Sequence, residues 1–262
     1  MAEHEFCRVD REGRLLVVTL NRPEVMNALH RPAHFELAQV FDAFAADPEL
    51  WVGIVTGAGD KAFSAGNDLK YQAAGGQIGH PPSGFAGLTQ RFDLAKPLIA
   101  AVNGVAMGGG FEIALACDLI VAAENAVFAL PEPRVGLAAL AGGLLRLPRM
   151  IPLKQAMGMI LTGRRVSAEE GEMLGFVNEV VPEGQALAAA KRWAAQILEC
   201  SPMSIRASKE TVYRGLDLPG GIEAASRAQR EFPTVTALAA SADRVEGPKA
   251  FAEKRKPNWQ GR

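Results

Sequence analysis

Short apolar blocks between glycine- and proline-marked turns fill the first part of the chain, and longer helical patterns fill the rest. Arg14–Leu20 is rich in Leu and Val and closes at Asn21-Arg22-Pro23, which predicts a buried strand and a turn. From Pro32 to Ala46, the residues Phe35, Leu37, Ala38, Phe41 and Phe44 recur at near-helical spacing and stop at Asp47-Pro48. Trp51–Thr56 reads as the next strand, and the glycine-punctuated stretch Gly57–Leu69 as a turn with a second short strand. Tyr71–Gly87 shows no sustained period and reads as a loop long enough to be functional or mobile. Thr89–Lys96 and Phe111–Ala116 read as helices, and Pro97–Val102, Leu119–Ala122 and Ala126–Leu130 as strands. The recurring order strand, strand, helix predicts stacked ββα units within an α/β fold.

Beyond Leu153 the pattern is mainly helical, with one strand-like interruption at Phe176–Val181. Thr162-Gly163 marks a helix end, Ser167-Ala168-Glu169-Glu170 fits a capping box, and Ser201-Pro202 opens a helix to near Gly215. Gly184–Glu199, Gly221–Ala240 and Asp243–Glu253 read as further helices. Their small apolar residues predict a packing module, set against the N-terminal core or between subunits.

The 262 residues and 48% apolar content suffice for a large core without staples. A formal net charge of −1 argues against a nucleic-acid binder. Cys7, Cys117 and Cys200 are isolated from one another, so neither a disulfide framework nor a zinc knuckle is expected, and they read as reduced thiols in a cytosol. The start, Met1 to Phe6, lacks the basic head and apolar stretch of a secretory signal, and no window approaches the roughly 20 apolar residues of a membrane span. The chain is expected to be soluble and cytoplasmic.

Two motif matches carry no chemistry. Gly57-Ala58-Gly59 with Ala62 fits a dinucleotide fingerprint, but no acidic residue stands near Gly79 or His80 and no helix opens behind it. His30 and His34 share one helix start without the His-Glu-x-x-His pattern, so a partly exposed pair is expected rather than a metal site. The serines lack a nucleophile elbow.

The chemistry concentrates between Asn103 and Glu132. Gly108-Gly109-Gly110 joins a strand to the start of a helix, so bare backbone N–H groups face outward where negative charge is favoured. Glu112 and Glu132 frame an apolar block beside that anion site. Each alone reads as a helix-start or turn residue; together they point to an acid–base site.

The ordered series resembles the crotonase (enoyl-CoA hydratase/isomerase) superfamily over nearly the whole chain. It comprises Asn21-Arg22-Pro23, Asn27-Ala28-Leu29, Phe63-Ser64-Ala65-Gly66-Asn67-Asp68-Leu69, Asn103-Gly104, Gly108-Gly109-Gly110-Phe111-Glu112, Cys117-Asp118, Pro131-Glu132 with Gly136, and Leu161-Thr162-Gly163 with Gly175. The resemblance implies a spiral of ββα turns over residues 1–200 and a helical trimerisation region over 201–262, assembled as a homotrimer or a dimer of trimers. It further implies an acyl-CoA thioester substrate whose carbonyl meets the N–H groups of Asn67 and Gly109. Two such donors are worth about 3 kcal/mol or more apiece to a developing oxyanion.

By the same resemblance Glu112 activates a water as base and Glu132 delivers a proton as acid, with no metal and no cofactor beyond the CoA of the substrate. Arg22, Lys61, Ala65, Asp68 and Leu69 fall at CoA-binding positions, and Lys254, Arg255 and Lys256 form a terminal basic run near a CoA phosphate or in solvent. Two departures stand out: Asn67 where many hydratases have Ala, and Leu140 where many have a Gly beside the catalytic water, which implies an acyl pocket that Leu140 makes narrower or drier. The tract Leu137–Pro148 resembles crotonobetainyl/carnitinyl-CoA hydratase-like members more than the straight-chain enzymes, which leaves the acyl group open. The implied activity is hydration or dehydration of an enoyl-CoA; a Δ3,Δ2-enoyl-CoA isomerase and a non-catalytic CoA-ester or RNA-binding homologue are the alternatives.

Overall fold

The computed structural model describes residues 4–262; Met1, Ala2 and Glu3, part of the stretch read above for a leader, lie outside the described residues. In chain order the elements are β1 (Cys7–Glu12), β2 (Leu15–Leu20), α1 (Arg31–Ala46), β3 (Val52–Gly57), β4 (Ala62–Ser64), α2 (Leu69–Ala73), β5 (Leu98–Val102), β6 (Val105–Met107) and α3 (Gly109–Ala116). There follow β7 (Leu119–Ala123), β8 (Val127–Ala129), α4 (Gly143–Met150), α5 (Leu153–Thr162), β9 (Val166–Ser167), α6 (Ala168–Leu174) and β10 (Glu179–Val181). The chain ends in helices α7 (Ala186–Leu198), α8 (Pro202–Asp217), α9 (Gly221–Ala228), α10 (Pro233–Ala240) and α11 (Ala242–Ala252). None of the described helices is long and apolar enough to cross a membrane.

The strands build two sheets. The larger runs β1-β2-β3-β5-β7-β10, parallel apart from the β1–β2 hairpin, and the smaller runs β4-β6-β8-β9. Each pair β3/β4, β5/β6 and β7/β8 places its first strand in the larger sheet and its second in the smaller, which is the spiral of ββα units expected from the pattern. Side chains alternate across the larger sheet as a period of two dictates. Val17, Ile54, Ile99, Ala101 and Val121 face α7, whose Ala186, Ala189, Ala190 and Ala194 allow close packing. Val18, Val55, Ala100, Val102 and Ile120 face inward, where Phe63, Phe111 and Phe128 fill the space between the sheets.

The structure departs from the sequence-based expectations at several elements. Thr89–Lys96 forms turns rather than a helix, because Pro97 disfavours helical backbone before it and the Lys96 ammonium is drawn inward onto the carbonyls of Phe44 (2.6 Å) and Asp47 (2.5 Å). The helix expected over Gly221–Ala240 breaks at Phe232-Pro233, where Phe232 turns extended. Strand β1 had no apolar signal, since Arg8, Asp10 and Glu12 decorate an edge. Both ends of the Tyr71–Gly87 stretch are ordered: its start belongs to α2, and Phe85, Ala86 and Gly87 form a buried 3-10 turn.

The histidine pair is buried rather than partly exposed. His34 Nδ1 accepts the Ala86 N–H at 3.1 Å while its ring packs at a tilt against Phe85, and His30 packs between the rings of Phe6 and Tyr71. The bond from Ala86 fixes a non-glycine residue at φ +55° and thereby places Phe85. The C-terminal helices attach to the core through Lys209 of α8, which bonds Asp118 (2.8 Å) and the Lys96 carbonyl (2.9 Å). Leu216, Ile222, Val245 and Phe251 of these helices remain exposed.

Burial pushes the His34 imidazole down to about 3 and keeps it neutral in the folded chain. The unfolded state takes up a proton near pH 6.5 that the folded state refuses, so this site lowers stability as pH falls from about 6.5 toward 3, with a slope of at most about 1.4 kcal/mol per pH unit. His34→Gln keeps an acceptor for Ala86 without the titration. Urea denaturation from pH 7 to 4 should show a shallower acid loss in the variant, by close to one proton; equal slopes would contradict the assignment.

Candidate active site

Two backbone segments meet at the centre of the molecule. Leu29 donates its N–H to the Gly66 carbonyl (2.7 Å), and its carbonyl accepts the Asp68 N–H (2.8 Å). In that parallel bridge the groups of Asn67 itself turn to the opposite side, so its N–H has no partner among the described residues. The bridge is braced by Asn27, which is 1% exposed: its Oδ1 accepts from the Arg22 N–H, its Nδ2 donates to the carbonyls of Ala58 and Ala62, and its own carbonyl accepts the Ser64 hydroxyl. Opposite lies the first turn of α3, whose leading N–H, that of Gly109, is likewise without a partner among the described residues. The two segments touch. A Cβ on Gly66 would stand 2.8 Å from the Gly109 nitrogen and 2.6 Å from the Met107 carbonyl oxygen.

Glu112 lies in the same first turn of α3 and is 3% exposed. Its Oε1 accepts the Gly143 N–H at 2.8 Å, where α4 begins. Burial pushes its carboxyl up to about 7, the Gly143 N–H pulls the other way, and the nearby Glu132 charge adds to the rise. Glu132 opens a 3-10 turn after β8, between two prolines, and its carboxyl is also raised by burial. Its Oε2 is buried with no partner among the described residues. Gly108, at φ +53° and ψ −124°, lies directly against this carboxylate: a Cβ there would stand 2.7 Å from Oε1. Two carboxyls with raised proton affinity therefore flank two bare N–H donors, the arrangement required to stabilise an oxyanion while moving protons beside it.

The residues expected at the CoA end fall into three groups. Arg22 and Asp68 pair with each other at 2.9 Å; Asp68 also caps α2 through the Tyr71 N–H, and Arg22 reaches the Ala28 carbonyl. Lys61 lines an open cleft with Pro23, Met26, Ala58, Gly59 and Asp60. Ala65 donates its N–H to the Met26 carbonyl, and Leu69 opens α2 with an exposed side chain. Leu140 is 78% exposed in the loop before Gly143. Of the terminal basic run, Arg255 is held by Glu246 and Glu253.

Three contributors carried no signal of their own in the sequence. Phe85 presses on the first turn of α3, so that a Cβ on Gly109 would be 2.5 Å from its ring. Gly143 supplies the hydrogen bond to Glu112, and Asn27 braces the Asn67 segment; Asn27 stood in a quoted motif without a role. Among the described residues, His4, Cys7 and Glu36 bring ligand-type atoms within 4.8 Å of one another. There the Glu36 carboxylate already accepts the N–H groups of Glu5 (2.7 Å) and Phe6 (2.8 Å), and burial and Glu36 push the Cys7 thiol up. That set of contacts describes a strand-end cap.

Gly108→Ala forces a left-handed backbone and a methyl into the Glu132 carboxylate. Turnover should fall at least about 10²-fold with a stability loss of roughly 1–3 kcal/mol, read by steady-state kinetics and thermal denaturation. Wild-type turnover would contradict the geometry.

Residues 10–262 match the sequence profile described as Enoyl-CoA hydratase/isomerase. The carnitinyl-CoA dehydratase of Citrobacter koseri is 47% identical, covering 98% of this chain and 99% of its own, and that of Salmonella typhi is 46% identical with the same coverage. Among solved structures, an enoyl-CoA hydratase from Mycobacterium tuberculosis superposes with a TM-score of 0.91 at 39% identity, covering 98% of this chain and 99% of its own. A carnitinyl-CoA hydratase from Mycobacterium avium gives 0.78 at 42% identity, covering 99% and 100%. With the spiral fold, the ordered motifs and a profile match across nearly its full length, the chain belongs to the enoyl-CoA hydratase/isomerase family.

Proposed function

We propose that this chain is an acyl-CoA hydratase/dehydratase that adds water across the 2,3-double bond of an enoyl-CoA thioester and catalyses the reverse elimination. The observation that carries the reading is the buried Glu112 and the half-buried Glu132, whose proton affinities burial raises, beside the N–H groups of Asn67 and Gly109, which have no partner among the described residues. The thioester carbonyl accepts both N–H groups, which stabilise the enolate-like oxygen. Glu112 takes a proton from water as its oxygen bonds to C3, and Glu132 gives its proton to C2. Buried like charges favour a state in which the two carboxyls share one proton, as this division of labour requires. The chemistry uses no cofactor beyond the CoA of the substrate.

CoA lies along the Lys61 cleft and the Ala65–Leu69 backbone, with the Arg22–Asp68 pair bracing that segment. The exposed apolar side chains of α8, α9 and α11 support a homotrimer or a dimer of trimers in which residues 201–262 form the subunit interface. A narrower substrate assignment, carnitinyl-CoA, is favoured by the printed names of the 46–47% identical relatives. The isomerase reading needs only one mobile proton carrier, so two proton-holding carboxyls favour hydration over it. They also favour a catalytic chain over a non-catalytic homologue.

Glu112→Gln and Glu132→Gln should each lower kcat at least about 10²-fold on the best enoyl- or carnitinyl-CoA substrate, with little change in KM. The double variant should lose much less than the product of the single losses, because both groups serve the same addition of water. Near-wild-type turnover in either single variant, with 3-enoyl thioesters preferred, would favour the isomerase.

A further inference from the structure

Arg146 carries a charge that the chemistry above does not use. It sits in the first half of α4; its backbone N–H donates to the Gly142 carbonyl and its Nη2 donates to the Thr89 carbonyl, both at 2.8 Å. Its guanidinium lies 5.5 Å from the Phe92 ring centroid, and among the described residues it forms no ion pair. Burial lowers its proton affinity, as for a cation stripped of water without a direct partner.

The backbone around it explains where that charge is directed. Gly142, at φ +114°, packs against the guanidinium so closely that a Cβ has no room. A Cβ on the next residue, Gly143, would be 3.1 Å from the Glu112 Oε1 that the Gly143 N–H already holds. Cation, glycine pair and carboxylate are thus stacked in that order. Other charged or titratable groups do not supply the same offset. Glu132, from the turn after β8, repels Glu112. Behind Arg146 stand Cys117 at the end of α3 and Tyr213 of α8, the latter bonded to Asp118, whose partner is Lys209. Arg91, on the Thr89 side, is paired with Asp42. Arg146 is the unpaired cation facing Glu112 among the described residues.

We propose that Arg146 is a positioning residue for Glu112: across the Gly142-Gly143 backbone its charge stabilises the ionised carboxylate, and its bond to Thr89 keeps that charge in place. The role in turnover rests on the reading of Glu112 as the base. A base must be ionised when substrate arrives, and burial beside Glu132 opposes this. Arg146 supplies the compensating charge without touching the carboxylate oxygens, which stay available to water and to Gly143.

Two readouts separate this inference from the function it rests on. Infrared titration of the resting protein, with Glu112→Gln subtracted to identify the band, gives the Glu112 midpoint without any turnover. Arg146→Gln should raise that midpoint by about one pH unit, a tenfold change in proton affinity, and Arg146→Lys should leave it near wild type. Phe92→Glu provides a second route that spares the core: Phe92 is 84% exposed, and a carboxylate there would pair with the guanidinium and raise the midpoint, while Phe92→Gln would not. The acid limb of kcat/KM should follow, with about a tenfold loss at low pH and recovery at high pH. A band shift without a matching limb would support the Arg146 role and overturn Glu112 as the base. Unmoved midpoints in folded Arg146→Gln and in Phe92→Glu would overturn the proposal.

Discussion

Everything at the centre of this molecule depends on how closely two strips of backbone approach each other. Leu29 takes both hydrogen-bonding groups flanking Asn67, so the Asn67 N–H points away from Leu29, and glycine at position 66 lets α3 start within van der Waals reach. The resulting pair of N–H donors owes nothing to side-chain identity. It is held by buried elements that cannot shift independently: Asn27 fixes one strip through three hydrogen bonds of its side chain, and β6 and β8 fix the other through the bond from the Gly108 N–H to the Ala129 carbonyl. Such preorganisation matters because donors already in place cost no reorganisation when charge develops on the substrate.

The same approach decides the electrostatics. Placing Glu112 in the first turn of α3 and Glu132 against Gly108 brings a buried and a half-buried carboxyl near each other, where desolvation and mutual repulsion disfavour double ionisation. The fold compensates one of them. Glu112 has the N–H of Gly143 at the start of α4, whereas Glu132 keeps an oxygen without a protein partner among the described residues. That asymmetry agrees with different roles: the supported carboxylate suits a base, and the unsupported one suits a proton donor.

Much of this architecture was legible in the chain. The Leu- and Val-rich runs gave β2, β3 and β5 because these strands are buried on both faces, and the periodic Phe residues gave α1. The triple glycine and the two glutamates were visible because glycine and buried carboxylates stand out in apolar surroundings. What stayed hidden depends on contacts distant in sequence. The turns over Thr89–Lys96 follow from where Lys96 and Arg91 find carbonyls on α1, and Phe85 reaches Gly109 only because His34 fixes Ala86. Likewise Gly143 reads as an ordinary loop glycine until the fold brings it to Glu112.

In the proposed reaction the two carboxyls deliver the elements of water across a thioester-activated double bond. Turnover of a panel of 2-enoyl-CoA thioesters in H₂¹⁸O, followed by mass spectrometry, tests it most directly. One solvent oxygen is expected at C3 of the product for at least one acyl group, with the rate of label incorporation falling at least about 10²-fold when Glu112 or Glu132 is replaced by Gln. Rapid double-bond migration with no ¹⁸O at C3 from any thioester would contradict it.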